Sequence, residues 1–234
     1  MRKYLSLYIV IGLLGVAAVL AGFLKTFFAP LSDGTFHAPW IIYIHGVAAF
    51  SFVLLFLFQS ILIRAENWTL HMTVGLLGLL AAGVAAFTMP FAGAYQVKRD
   101  VAHGFGDSAV SALLGTFTSA IMFLGLVAAG YRFRKQLETH KRLMLLALIV
   151  LLWPAWFRFR HYFPSVPNPE IWFALVLADS LIVVSWIWDK LSNRRIHPTL
   201  FYVGLFVILE QTFEVIAFDS PIWRALAKQI YALF

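Results

Sequence analysis

Ionisable side chains set inside long apolar runs offer most of the chemistry in this sequence. His45, His103, Asp107, Arg158, His161, Asp179, Glu210 and Glu214 all lie within or at the edges of stretches otherwise built from Leu, Val, Ile, Ala and Phe. A charge in hydrocarbon costs several kcal/mol, so each of these groups needs a partner, a proton or water. Spacing pairs some of them. His103 and Asp107 are four residues apart, Glu210 and Glu214 four, and Arg158 and His161 three, so each pair shares a helix face. Two carboxylates one turn apart repel unless a cation or a proton lies between them.

Several chemistries suit these residue types. His45, His161, Asp107, Glu210 and Glu214 together supply nitrogen and oxygen donors fit for a hard or borderline divalent metal ion. If the chain is an enzyme, a metal-activated water is the simplest reaction it could run. Glu210 or Glu214 would then act as general base, with Arg158 and Asp179 completing the catalytic set. The same groups also suit a small polar ligand, or an ion network of Arg158 with Asp179 and Glu210 that ties helices together. A proton-coupled transporter would use Asp179, Glu210 and Glu214 as its protonatable groups. Few polar residues in the inner half of the membrane and no visible repeat count against that design. A scaffold or accessory subunit needs none of this chemistry.

The histidines allow a further reading. His45 and His103 lie towards the outside on the second and fourth apolar stretches, and His71 and His140 towards the inside on the third and fifth. Paired imidazoles in that alternation would hold two haems b, one near each face, for electron transfer across the bilayer. The arrangement is similar in pattern to the ascorbate-linked dihaem cytochromes b of eukaryotic vesicles and plasma membranes.

The elements that must position these residues are membrane helices. Of 234 residues, 62% are hydrophobic and only 12% charged, far from the composition of a soluble domain. The apolar residues form runs that predict an all-α bundle of seven spans: Leu5–Phe28, Pro39–Ile63, Leu70–Phe91, Gly104–Tyr131, Leu143–Phe163, Ile171–Trp188 and Thr199–Phe218. Seven such spans leave only short loops, hence a single domain over residues 1–234. The first run is too long for a signal-peptide core and reads as a retained span. Pro221–Phe234, with Trp223, Arg224, Lys228 and Tyr231, reads as a short interfacial helix. Gly75, Gly78, Ala81, Ala82, Gly83, Ala85 and Ala86 predict a central third span, because small residues let backbones approach in lipid.

Basic residues orient the bundle. With the N-terminus in the cytoplasm, the inner side collects Arg2, Lys3, Arg64, Arg132, Arg134, Lys135, Lys141, Arg142, Lys190, Arg194 and Arg195, eleven against seven outside. The positive-inside rule therefore places the C-terminus outside. At 1.5 Å per residue, His45 then lies about 9 Å below the outer surface, Asp179 and Glu210 about 12 Å and Glu214 about 6 Å. Arg158, His161, His103 and Asp107 fall in the same outer layer, which predicts one outward-facing polar pocket.

Other classes drop out. No cysteine is present, which removes disulfides, thiolate metal sites and iron–sulfur clusters. The net charge of +7 reflects topology and lipid-headgroup contacts, so the expected partner is the lipid bilayer, not nucleic acid. A lipid or other small ligand, a homo-oligomer or a larger membrane complex are compatible partners. The last span has no lysine for retinal, and its Glu210/Glu214 spacing stands where membrane hydrolases related to ceramidases and adiponectin receptors carry an HxxxH pair. Phosphate-loop, dinucleotide and serine-elbow motifs are absent.

His45-Gly46, Gln59, Leu70-His71 with Gly75, His140-Lys141-Arg142-Leu143-Met144, and Asp189 with Arg195 and His197-Pro198 also form a recurring pattern. In these residues the chain resembles a broad group of uncharacterised bacterial multi-pass membrane proteins, from about Ile41 to Trp223. The resemblance implies a helical bundle in a bacterial cytoplasmic membrane and no particular activity. His103 and the Glu210/Glu214 pair stand outside it.

Overall fold

The computed structural model describes residues 6–234, so Arg2, Lys3 and the Leu5 start of the first span lie outside the described residues. Among the described residues every regular element is helical and there is no strand. Seven helices are long and apolar enough to cross a membrane: α1 (Leu7–Ser32), α2 (Trp40–Arg64), α3 (Trp68–Ala102), α4 (Gly106–Arg132), α5 (Leu137–His161), α6 (Glu170–Asn193) and α7 (Pro198–Ala217). An eighth, α8 (Pro221–Tyr231), is short and amphipathic.

Helix starts follow ordinary capping chemistry. The side chains of Ser6, Asn67 and Ser220 accept the backbone N–H of Ile9, Leu70 and Trp223. His197 does the same for Thr199, with Pro198 at the first helical position.

Two helices differ from the spans read off hydropathy. α3 runs 35 residues, roughly 52 Å, and ends eleven residues beyond Phe91. Lys98, Arg99 and Asp100 end an apolar run but do not end a helix. The chain turns only at Gly104 and Gly106, which take φ of +86° and +64°. His103 therefore caps α3 and does not open α4. α5 starts six residues before Leu143, at Leu137, with Glu138 paired to Lys141 and Arg142 on its first turns. Its last turn, Arg158–His161, tightens to 3₁₀ geometry after Pro154. The first two turns of α6, Glu170–Leu177, are wound as π-helix.

The central helix is α5, not α3 as the small residues predict. Leu145 to Val150 are all buried, so α5 is surrounded on every side, packing on α1, α4, α6 and α7. The small residues of α3 serve one face only, through Ala82, Ala85, Ala86 and Gly93. Close approach also occurs at Gly22 of α1, which lies against the Ala155 carbonyl of α5. On the outside, Phe87, Ile121 and Ile216 are 70%, 71% and 77% exposed. Such an exterior suits a lipid bilayer, and the bundle has the build of a multi-pass membrane protein.

Candidate functional site

The C-terminal ends of α2 and α4 and the N-terminal ends of α3 and α5 meet at one end of the bundle, which gathers Gln59, His71, Gly75 and His140 of the recurring pattern. On α3, the stripe Ala82, Ala85, Ala86, Met89 is buried, yet its continuation towards the start of the helix, His71, Val74, Gly75, Gly78 and Leu79, is only half-buried. A Cβ added at Gly78 would meet nothing within 4 Å.

His71 of α3 and His140 of α5 lie ring beside ring at this end. Their ring centres are 6.4 Å apart and their planes cross at 86°. His140 Nδ1 lies 2.8 Å from the Gly130 carbonyl oxygen of α4. A carbonyl only accepts, so Nδ1 carries the proton and Nε2 keeps its lone pair. His71 Nδ1 is buried with no hydrogen-bond partner. Gln59 of α2 sits beside His71 and Gly75, and neither atom of its buried amide is bonded. The other side of the His71 ring is met by the Gln59 backbone, so the unpaired groups here are His71 Nδ1 and the Gln59 amide, and unpaired buried polar groups are uncommon in native proteins.

Next to it lies a complete network. Arg142 of α5 donates to Asp189 of α6 through Nε (3.0 Å) and Nη2 (2.5 Å), and through Nη1 to Glu138 (2.5 Å). Asp189 also accepts from Asn193 (2.8 Å) and from the His197 backbone N–H (2.9 Å). Both Asp189 oxygens and all three Arg142 nitrogens are bonded, which suits a structural group. Burial lowers the affinity of the His197 ring for a proton, in keeping with Nδ1 accepting the Thr199 N–H.

The predicted outer pocket separates into two groups of opposite charge. One is basic. His45 Nδ1 bonds Thr88 Oγ1 (3.1 Å), whose own proton is directed at Val84 O (2.6 Å). Arg158, within electrostatic reach of His45, donates to Thr26 and to the Pro154 carbonyl, and its guanidinium lies 4.0 Å over the Phe23 ring. No carboxylate among the described residues pairs with Arg158, so the expected network with Asp179 and Glu210 is not formed. The other group is acidic. Glu210 and Glu214 of α7 meet carboxyl to carboxyl, with Thr118 of α4 beside Glu210 and Asp179 of α6 in electrostatic reach. Glu214 packs over Gly115 of α4.

The remaining predicted ligands sit apart. His103 is exposed at the end of α3 and bonds Arg99 O at 2.6 Å. It follows Thr88, the partner of His45, by fifteen residues, roughly 22 Å along a helix, so His45 and His103 do not form an imidazole pair. Asp107 is exposed and ion-paired with Lys228 of α8 at 2.5 Å. His161 is exposed, and its carbonyl accepts from Lys25 at 3.0 Å. Among the described residues no three His, Asp or Glu side chains are grouped closely enough to hold a metal ion, so His45, His161, Asp107, Glu210 and Glu214 are not one site.

The Gly130 carbonyl and the Arg142–Asp189 pair were not among the predicted site residues. A signal for Arg142 was present: it lies on one stripe with Leu145, Leu146 and Ile149, all core residues. No family, no curated protein and no solved structure matches the chain.

Proposed function

We propose that the chain is a single-domain multi-pass membrane protein that holds one haem b between His71 and His140, at the cytoplasmic ends of α3 and α5, and serves one-electron transfer. The observation that carries this reading is the separation of the two imidazole rings. Two nitrogens ligating one metal from opposite sides each stand about 2 Å from it, which sets ring centres roughly 6 Å apart. The separation here is 6.4 Å. The bond from His140 Nδ1 to Gly130 O is the outer-shell contact that fixes a ligand ring and leaves Nε2 free. The half-buried face of α3 beside His71, where Gly75 and Gly78 carry no side chain, supports the reading, because a macrocycle needs room next to its ligands. A second haem at His45 and His103 does not fit, so the dihaem arrangement reduces to one.

When bound, haem would supply a reversible ferric–ferrous couple; the residues of this chain hold it, exclude water and set its surroundings. The basic residues flanking α2–α3, α4–α5 and α6–α7 favour the cytoplasmic side for this end of the bundle, with the N-terminus inside and α8 at the outer interface. A bacterial inner membrane accords with the resemblance noted above.

The test is the spectrum of the full chain purified in detergent after expression with added haem precursor. A Soret band that shifts on dithionite reduction, at one haem per chain, is expected. His71→Ala and His140→Ala, each still monodisperse and helical, should lose it. A folded chain without the band, or a band that survives both substitutions, overturns the reading.

A further inference from the structure

The acidic group lies far along the bundle from the histidine pair and has no part in that reading. Glu210 is within the last two turns of α7 and Glu214 within the last turn, both directed at α4, where a Cβ at Gly115 would come within 3.5 Å of Glu214. Asp179 faces them from α6. It is only 5% exposed, and neither of its carboxyl oxygens has a hydrogen-bond partner. Glu210 Oε2 and Glu214 Oε1 are likewise buried and unbonded.

Among the described residues no cation is paired with these carboxyls. On α5, Arg142 is committed to Asp189 and Glu138, and Arg158 to Thr26 and Pro154. On α8, Arg224 is committed to Asp219 and Lys228 to Asp107. Facing them, α4 offers Thr118, whose hydroxyl bonds the Gly115 carbonyl at 3.1 Å and brings no charge. On α6, Asp189 is taken by Arg142, and Glu170 and Lys190 lie near the helix ends. A metal ion would need several of these oxygens around one point, and no such grouping exists among the described residues. Two carboxylates in contact in a low-dielectric site cannot both be ionised, and sharing a proton relieves the repulsion while supplying the missing donor.

We propose that Asp179, Glu210 and Glu214 form a proton-binding site at the seam of α4, α6 and α7, in which the Glu210–Glu214 pair retains a proton at neutral pH. The trio is then the place where this protein takes up and releases protons within the bilayer.

The full chain in liposomes, treated at pH 7 with the lipid-soluble reagent dicyclohexylcarbodiimide, tests this. The reagent attacks only protonated carboxyls and leaves a stable N-acylurea that mass spectrometry locates. An adduct on Glu214 or Glu210 is expected, and Glu210→Gln/Glu214→Gln should lower labelling of the chain at least tenfold. That neutral double variant should also keep its thermal midpoint within a few degrees, since an amide mimics a protonated carboxyl. No adduct on the pair in the folded wild type overturns the proposal. So does an adduct suppressed by sodium or calcium at constant ionic strength, which would assign the site to a cation, and so does collapse of the double variant.

Discussion

Arg142 and Asp189 form a two-bonded ion pair between α5 and α6, with side chains only 2% and 7% exposed. Removing one partner of such a pair strands a buried charge and costs about 3–5 kcal/mol. Asp189→Ala should therefore lower the thermal midpoint in detergent sharply, because Asn193 and the His197 N–H lose their acceptor and Arg142 keeps only Glu138. Replacing both partners with apolar residues, Arg142→Met with Asp189→Leu, should recover a large part of that loss. If the double variant is no better than the single, Asp189 acts through its remaining bonds to Asn193 and His197 and not through Arg142.

His45 stands apart from His71 and His140 in what it holds. Its ring is bonded to Thr88, a helix–helix contact between α2 and α3. His45→Ala should cost about 1 kcal/mol, the usual worth of one such bond, and leave any Soret absorbance unchanged. Loss of the band in His45→Ala, with the fold intact, would move the haem to the other half of the bundle.

The spans were legible because lipid demands long apolar runs, and seven of them survive as helices. Their ends were less so. Hydropathy stops at Phe91 and starts again at Leu143, but Lys98, Arg99, Glu138, Lys141 and Arg142 are good helix formers that continue α3 and begin α5. Hydropathy alone therefore leaves Arg142 outside the span and hides its ion pair with Asp189. Depth arithmetic set Arg158 level with Asp179 and Glu210, yet depth says nothing of rotation about a helix axis or of which helices are neighbours. Arg158 turns towards α1 and Thr26, whereas the acids turn towards α4. The nearness of His71 and His140 was readable as a pairing of two inner histidines, while the Gly130 carbonyl that orients His140 carries no side-chain signal at all.

Close approach of α1 to α5 depends on Gly22. A Cβ there would collide with the backbone carbonyl of Ala155, which is held inside a helix and cannot yield cheaply. Gly22→Ala should destabilise the bundle by about 1–3 kcal/mol, the range for overpacking. Gly83→Ala on α3 meets nothing within 4 Å and should be neutral or slightly stabilising, since Ala favours a helix over Gly by about 1 kcal/mol. Equal effects of the two substitutions on the thermal midpoint would show that α1 can shift to accommodate the methyl group.

The docking of α8 rests on Asp219, which accepts from Ser111 of α4 at 2.8 Å and is paired with Arg224, while Trp223 Nε1 donates to Ser111 O at 2.9 Å. The hydrogen bond from Arg224 holds the Asp219 carboxyl below the usual carboxylate range. A carboxyl depressed in the folded chain stabilises docking above its unfolded value, and that contribution is lost as pH falls through the folded value. Docking should thus be constant from neutral pH down to the ordinary carboxylate range and weaken only below it. Asp219→Asn should bring the weakening to neutral pH. Asparagine is the right substitution because residue 219 has φ +59°, which asparagine tolerates and alanine does not. Hydrogen exchange of the α8 amides, corrected for intrinsic rates, should show a severalfold loss of protection in Asp219→Asn at pH 7. Unchanged protection would place the hold on α8 in Trp223 and its apolar contacts with α4 and α7, and Trp223→Phe, which removes only the N–H donor, would then leave α8 protected as well.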